Sequence, residues 1–269
     1  MKLIFHDILY DLLFIFFIII IRILIYLTLI GNLLFNLVAI IYPTTSLIAV
    51  LIYLLIAKDI GFSWNDKFSV LVTFLGIATI SFFVADAIWC WYYNLLLQVE
   101  VPYPSIADLF YVLDVIFSFI GVHIYVISIY RESKVEIEKK IKLLGCIIII
   151  IIAILSTIVL AQPIISEIGE IETLSDTLAL FLDVFYVVGD LLLLGLAVFG
   201  IFVLRGKIGK ILLLIFICVI LVIVYDIAFA ILVIQGLYYD GHPVELFDLA
   251  SNMFLIATFY ETYKMIKGK

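Results

Sequence analysis

Residues 211–236 read ILLLIFICVILVIVYDIAFAILVIQG. One charged side chain, Asp226, interrupts a run of aliphatic and aromatic residues. About 20 apolar residues carry a helix across the hydrocarbon core of a bilayer, so this stretch predicts a membrane span. The rest of the chain has the same character. Of 269 residues 67% are hydrophobic and only 14% charged, with a mean hydropathy of +1.36. A water-soluble fold would have too little polar surface to cover such a composition. The reading is all-α: a polytopic helical bundle forming a single integral membrane domain over residues 1–269.

Charge clusters, prolines and glycines divide the chain into about eight spans: 8–30, 34–57, 68–97, 106–130, 143–162, 174–204, 211–236 and 245–263. The first two are the least separable. Gly31-Asn32 is the natural turn between them, with Pro43 kinking the second. The rival division has one long bent helix, then a shorter helix starting at Pro43. The N-terminus has Asp7 and Asp11 and lacks a small-residue cleavage pattern, so it reads as a retained helix rather than a cleaved signal.

Lysine and arginine give the orientation. Segment 58–67 holds Lys58 and Lys67, segment 131–142 holds Arg131, Lys134, Lys139, Lys140 and Lys142, segment 205–210 holds Arg205, Lys207 and Lys210, and the tail holds Lys264, Lys267 and Lys269. The alternate loops 98–105, 163–173 and 237–244 hold none. The basic segments and the C-terminus are expected in the cytoplasm of a cell-membrane protein, and with eight spans the N-terminus joins them. Trp89, Trp91, Tyr92, Tyr93, Tyr103, Tyr238 and Tyr239 fit an interfacial belt. The net charge of −7 then divides into a basic face, an acidic face and an acid-rich interior.

That interior is the informative part. Asp86, Asp108, Asp114, Asp183, Asp190, Asp226 and Asp248 lie within spans, where Arg22 is the only basic residue. An ionised acid at mid-bilayer costs about 2.5–3.5 kcal/mol on the insertion scale. One arginine cannot neutralise seven acids, so some must hold a proton, water, a hydrogen-bond network or a cation. Asp86, Asp108, Asp190, Asp226 and Asp248 are the candidate ligand- or ion-binding residues, with Asp114, Asp183 and His242 secondary. Asp108 and Asp248, in first helical turns, also have a capping or dipole explanation. Aligning 84–114 with 224–254 without gaps matches Asp86 to Asp226 and Asp108 to Asp248. Residues 143–204 look like a third, looser copy. Such repeats frame polar sites in transporters.

Other chemistries lack their residues. Three cysteines and three histidines are scattered, without zinc spacing. There is no basic patch for nucleic acid. No span holds a lysine for a retinal Schiff base, and rhomboid-like serine chemistry lacks its histidine partner. Gly189-Asp190 and Tyr225-Asp226 are similar to intramembrane aspartyl protease motifs, but in reversed order, with Val187 at the first glycine position and without a Pro-Ala-Leu sequence. His123 is expected to be a hydrogen-bonded core residue. No cofactor and no enzymatic activity are expected, and the nature of any metal stays open.

Asp86-Ala87-Ile88-Trp89, then Pro102-Tyr103-Pro104-Ser105-Ile106-Ala107-Asp108-Leu109-Phe110-Tyr111, then Tyr186-Val187-Val188-Gly189-Asp190-Leu191-Leu192-Leu193-Leu194, then Tyr225-Asp226 and Phe247-Asp248 follow in order. Together, over roughly 60–263, they resemble the multi-spanning membrane region found ahead of diguanylate cyclase (GGDEF), phosphodiesterase (EAL) or histidine kinase domains in bacterial sensor proteins. Val187 stands where that family usually has proline, and no output domain is expected after the last span. The resemblance implies a signal-input membrane domain. Sensing through an outward-facing acidic pocket, with protein partners at the basic inner loops, is therefore the leading expectation. A proton- or cation-coupled transporter and a structural subunit of a membrane complex are the alternatives.

Overall fold

The computed structural model describes residues 32–99, 101–133, 173–203, 206–239 and 242–268, with isolated helical positions between 147 and 157. The expected span 8–30 lies outside the described residues, as does most of 143–162. Among the described residues the structure is helical, without strands. Its elements are α1 (Asn32–Ile60), α2 (Lys67–Asp86) running directly into a π-helix (Ala87–Leu97), α3 (Ile106–Ser133), α4 (Leu174–Val203), α5 (Gly206–Ile234) and α6 (Glu245–Ile266). The expected spans in these regions match the helices to within a few residues. In lipid a helix meets all its own backbone hydrogen bonds, so its ends fall where polar residues begin.

Five of these helices are long and apolar enough to cross a membrane: those containing Ile40–Ile60, Lys67–Leu97, Ile106–Glu132, Leu174–Ile201 and Ile208–Phe229. Of the six expected spans that fall on described residues, five meet this length and composition and 245–263 does not. α6 is packed with them but carries Glu245, Asp248, Glu261 and Lys264.

α1 continues through Pro43, so no helix starts there. Proline removes one backbone donor, and nearby hydroxyls bond the carbonyls around it. Thr44 Oγ1 donates to Ile40 O (2.6 Å), Thr45 Oγ1 to Tyr42 O (2.8 Å) and Ser46 Oγ to Tyr42 O (3.3 Å). α1 ends at Gly61, whose φ of +65° suits glycine. Asp66 then caps α2, accepting from Phe68 N at 3.0 Å.

Each helix packs against the next in sequence, and α6 packs back on α1, closing a six-membered ring. Packing across the ring is sparse among the described elements. The ring has two unlike halves. Towards the end carrying Lys58, Lys67, Lys210, Lys264 and Lys267, the lysine end, it is filled by an apolar plug. Tyr53, Ile56, Leu71, Tyr125, Val126, Leu194, Ala197, Leu212 and Phe259 are all buried in it. The acids occupy the other half. His123 does not enter the plug: it is exposed, its ring stacked on Phe119 at 5.5 Å. At this depth Val122, Tyr125 and Val126 take the inward face of α3, which leaves His123 on the outer one.

Ion pairs tie the lysine end. Lys210 on α5, 6% exposed, lies 3.1 Å from Glu261 on α6, which Lys264 also contacts. Lys267 reaches Asp59 at the end of α1 at 2.8 Å. That hydrogen bond pushes the Lys267 ammonium above the usual lysine range.

Candidate functional site

Five helices each bring one aspartate to the half of the ring remote from the lysines. Asp86 is the last residue of α2, where the backbone widens into the π-helix. Such widened turns recur at functional positions. It is 2% exposed, and its Oδ1 accepts from Tyr111 Oη on α3 at 3.1 Å. Ser46 on α1 is hydrogen-bonded to the same carboxyl. Asp114, one turn beyond Tyr111, is hydrogen-bonded by Ser118 a turn further on. Asp190 on α4 is 5% exposed and lies in hydrogen-bonding contact with Asp226 on α5. Asp248, in the first turn of α6, has Ser251 beside it at 3.4 Å.

These groups face inward. Asp248 is within electrostatic reach of both Asp86 and Asp226, although α1 stands between α6 and α2 in the ring. Cys218 on α5 is in reach of Asp114, Asp248 and Asp190, and its thiol is hydrogen-bonded with Ser251. All six helices thus contribute a polar group to one layer: Ser46, Asp86, Asp114, Asp190, Asp226 and Asp248.

The layer leaves buried acceptors and a buried donor unpaired. Asp86 Oδ2 and Asp190 Oδ2 are buried without a partner. Asn252, a turn beyond Asp248 and 2% exposed, has an unpartnered Nδ2, and Asn94 on the π-helix has an unpartnered Oδ1. Two ionised carboxyls in contact would repel each other, and a carboxylate cannot donate. One proton held between Asp190 and Asp226 would remove the repulsion. Among the described residues no three His, Cys, Asp or Glu side chains converge as a metal-ligand set. A cavity of about 190 Å³ lies elsewhere, between α1 and α2, lined by Tyr53, Ala57, Ile60 and Val72 among others.

Asp108 and Asp183 stand apart from this layer, nearer the lysine-free end. Ser105 and Asp108 cap α3 reciprocally. Ala107 N donates to Ser105 Oγ at 3.2 Å, while Ser105 N and Oγ donate to Asp108 Oδ2 at 2.6 and 2.9 Å. This is a capping box with aspartate in the usual glutamate place. Tyr186 Oη on α4 donates to Asp108 Oδ1 at 3.1 Å. Tyr103 Oη in the loop before α3 donates to Asp183 Oδ1 at 2.5 Å. Burial of its hydroxyl end, then the neighbouring Asp183 carboxylate, pushes the Tyr103 phenol above its ordinary range. His242 serves the turn before α6, its Nδ1 accepting from Val244 N at 3.1 Å.

Of the five leading candidates, the structure brings together Asp86, Asp190, Asp226 and Asp248, joined by the secondary candidate Asp114. The repeat equates Asp108 with Asp248, but α3 supplies its layer acid at Asp114 instead. Ser46, Ser118, Cys218, Ser251 and Asn252 were not foreseen. Ser118 and Ser251 sit one helical turn or less from an acid, a spacing that could have flagged them. No protein-family model, curated protein or solved structure matches the chain.

Proposed function

We propose that the chain is a multi-pass signal-input module whose acidic layer opens to the exterior and responds to protons or small cations. One observation carries this reading: the buried acids lie in one half of the ring, beside a smaller apolar cluster, and an apolar plug fills the other half. With the lysine end taken as cytoplasmic, the acids lie on the exterior side of the plug. A receptor needs a ligand site facing one compartment, with helices that transmit its state. A transporter must open the same site to both sides. The resemblance to bacterial sensor regions supports the same assignment. Asp190 and Asp226 meet as one pair, which fits a proton or an organic cation better than a bare divalent ion. Partner proteins at the basic inner segments would receive the signal.

The test is carried out on the full chain in proteoliposomes. Wild-type protein is expected to change thermal stability with external pH, and Asp190→Asn and Asp226→Asn to flatten that response. No net uptake of protons or of alkali or organic cations is expected. A pH response unchanged in both variants, or uptake down an imposed gradient, overturns the reading, the second outcome in favour of transport.

A further inference from the structure

We propose that Tyr103, Asp183 and Tyr186 form the access route by which protons from the lysine-free face reach the Asp190–Asp226 pair. The inference rests on the proton-responsive reading above and concerns how the pair is reached.

The route is a stripe on one helix. Asp183, Tyr186 and Asp190 are spaced at i, i+3 and i+7 along α4, which places them on one face. Two helical turns, about 10 Å, separate the first from the last. All three are within electrostatic reach of Asp226 on α5. The stripe begins at solvent: Tyr103, 41% exposed, bonds Asp183. It ends at Asp190 Oδ2, a buried carboxyl oxygen without a donor. Beyond Asp190 the same helix turns apolar, with Leu194, Ala197 and Val198 buried in the plug. Polar groups therefore lead from the lysine-free face to the pair and stop there.

The neighbours limit the alternatives. Asp108, the α3 acid nearest the stripe, has Oδ2 committed to the Ser105 cap and Oδ1 to Tyr186. Around the pair the other titratable groups are Asp114 from α3, Cys218 from α5 and Asp248 from α6. None of these belongs to the α4 stripe. Asp183 is the one carboxyl on the stripe between Tyr103 and the pair. A proton taken from external water at Asp183 neutralises that carboxylate and weakens its bond from Tyr103. Passing the proton to the Asp190–Asp226 pair regenerates the Asp183 carboxylate, and the phenol bond re-forms.

The experiment separates route from destination by measuring a rate and an end-point in the same sample. The full chain is reconstituted in vesicles, and the infrared carbonyl band of protonated carboxyls is followed after an external pH jump. Asp190→Asn is expected to remove the titrating band. Asp183→Asn and Tyr103→Phe are expected to leave its end-point unchanged but slow its appearance, about tenfold or more for Asp183→Asn, with Asp183→Glu restoring the rate. Tyr103 lies in an exposed loop, so its variant tests the route even if Asp183→Asn does not fold. A wild-type rate in both variants overturns the route and leaves the pair standing. A faster response to a jump on the lysine side also overturns it. If no band titrates in the wild-type protein, the proton-responsive reading falls, and the route with it.

Discussion

Tyr186 on α4 donates a hydrogen bond to Asp108 Oδ1 in the first turn of α3, 3.1 Å away, while Ser105 holds the other oxygen of the same carboxylate. One side chain therefore closes a helix end and joins two helices. The Pro-Ser-Ile-Ala-Asp-Leu run that most strongly marks the sensor resemblance is, in physical terms, a capped helix start with a tyrosine docked on it.

Substitutions around this carboxylate should separate the two jobs. Ser105→Ala removes the cap acceptor and is expected to cost about 1 kcal/mol. Tyr186→Phe leaves a partly buried carboxylate oxygen without that donor and is expected to cost about 1–3 kcal/mol. Thermal unfolding of the detergent-solubilised protein measures both. A Tyr186→Phe variant as stable as wild type would mean that water replaces the phenol.

At the opposite end, Glu261 is shared by Lys210 and Lys264, and only Lys210 is fully buried. Removing one partner of a buried ion pair costs about 3–5 kcal/mol. Glu261→Gln is expected to reach that range, since it strips both lysines of their shared partner. Lys210→Met should cost less, because Lys264 still neutralises Glu261. The order of the two melting temperatures tests this, and the reverse order would contradict it.

The α1–α2 contact depends on a missing side chain. A Cβ on Gly76 would run into the ring of Tyr53, which itself packs on Phe259 of α6 at 5.9 Å between centroids. Gly76→Ala is expected to destabilise by about 1–3 kcal/mol, the usual cost of overpacking. Pairing it with Tyr53→Leu should recover part of the loss. Additive losses in the double variant would show that the two residues do not meet.

Helix positions were legible in the sequence because apolar runs end where charges and prolines begin. The acids of the layer were legible too, since a carboxylate inside a span has few innocent explanations. Which acids meet was not. Helices that are apolar nearly all round carry little signal for their rotation about their own axes, so the sequence puts Asp108 ahead of Asp114, six residues further along α3, and the structure has the reverse. The π-helix from Ala87 was equally hidden: a run of large side chains such as Ile88-Trp89-Cys90-Trp91 suits either winding. His123 shows the converse error. A polar residue deep in a span need not face the core when the core at that depth is apolar.

The Lys267–Asp59 pair is surface-exposed, and its effect should be small and conditional. The ammonium is favoured in the folded protein. Its contribution is therefore fully present below the ordinary lysine value, about 10.4, and is lost as pH rises through the raised folded value. Lys267→Met should lower the melting temperature slightly at neutral pH and low salt. That difference should shrink in high salt and at strongly alkaline pH. A difference that persists under both conditions would mean that the lysine stem, not its charge, is what matters.

The Asp190–Asp226 contact makes the strongest pH prediction. Asp190 is buried and Asp226 half-buried, so the pair is expected to be stable while it holds one proton. Stripping that proton sets two carboxylates against each other away from water, which is costly. Wild-type stability is therefore expected to fall as pH rises through the point where the pair deprotonates. Asp226→Asn substitutes an amide that donates to Asp190 without needing a shared proton. This variant should match or exceed the wild type at high pH and lose its advantage in acid. Melting curves across pH for wild type, Asp226→Asn and Asp190→Asn decide the matter. Parallel curves would show that the two carboxyls do not share a proton, and a wild type that gains stability with rising pH would show that the layer prefers its full negative charge.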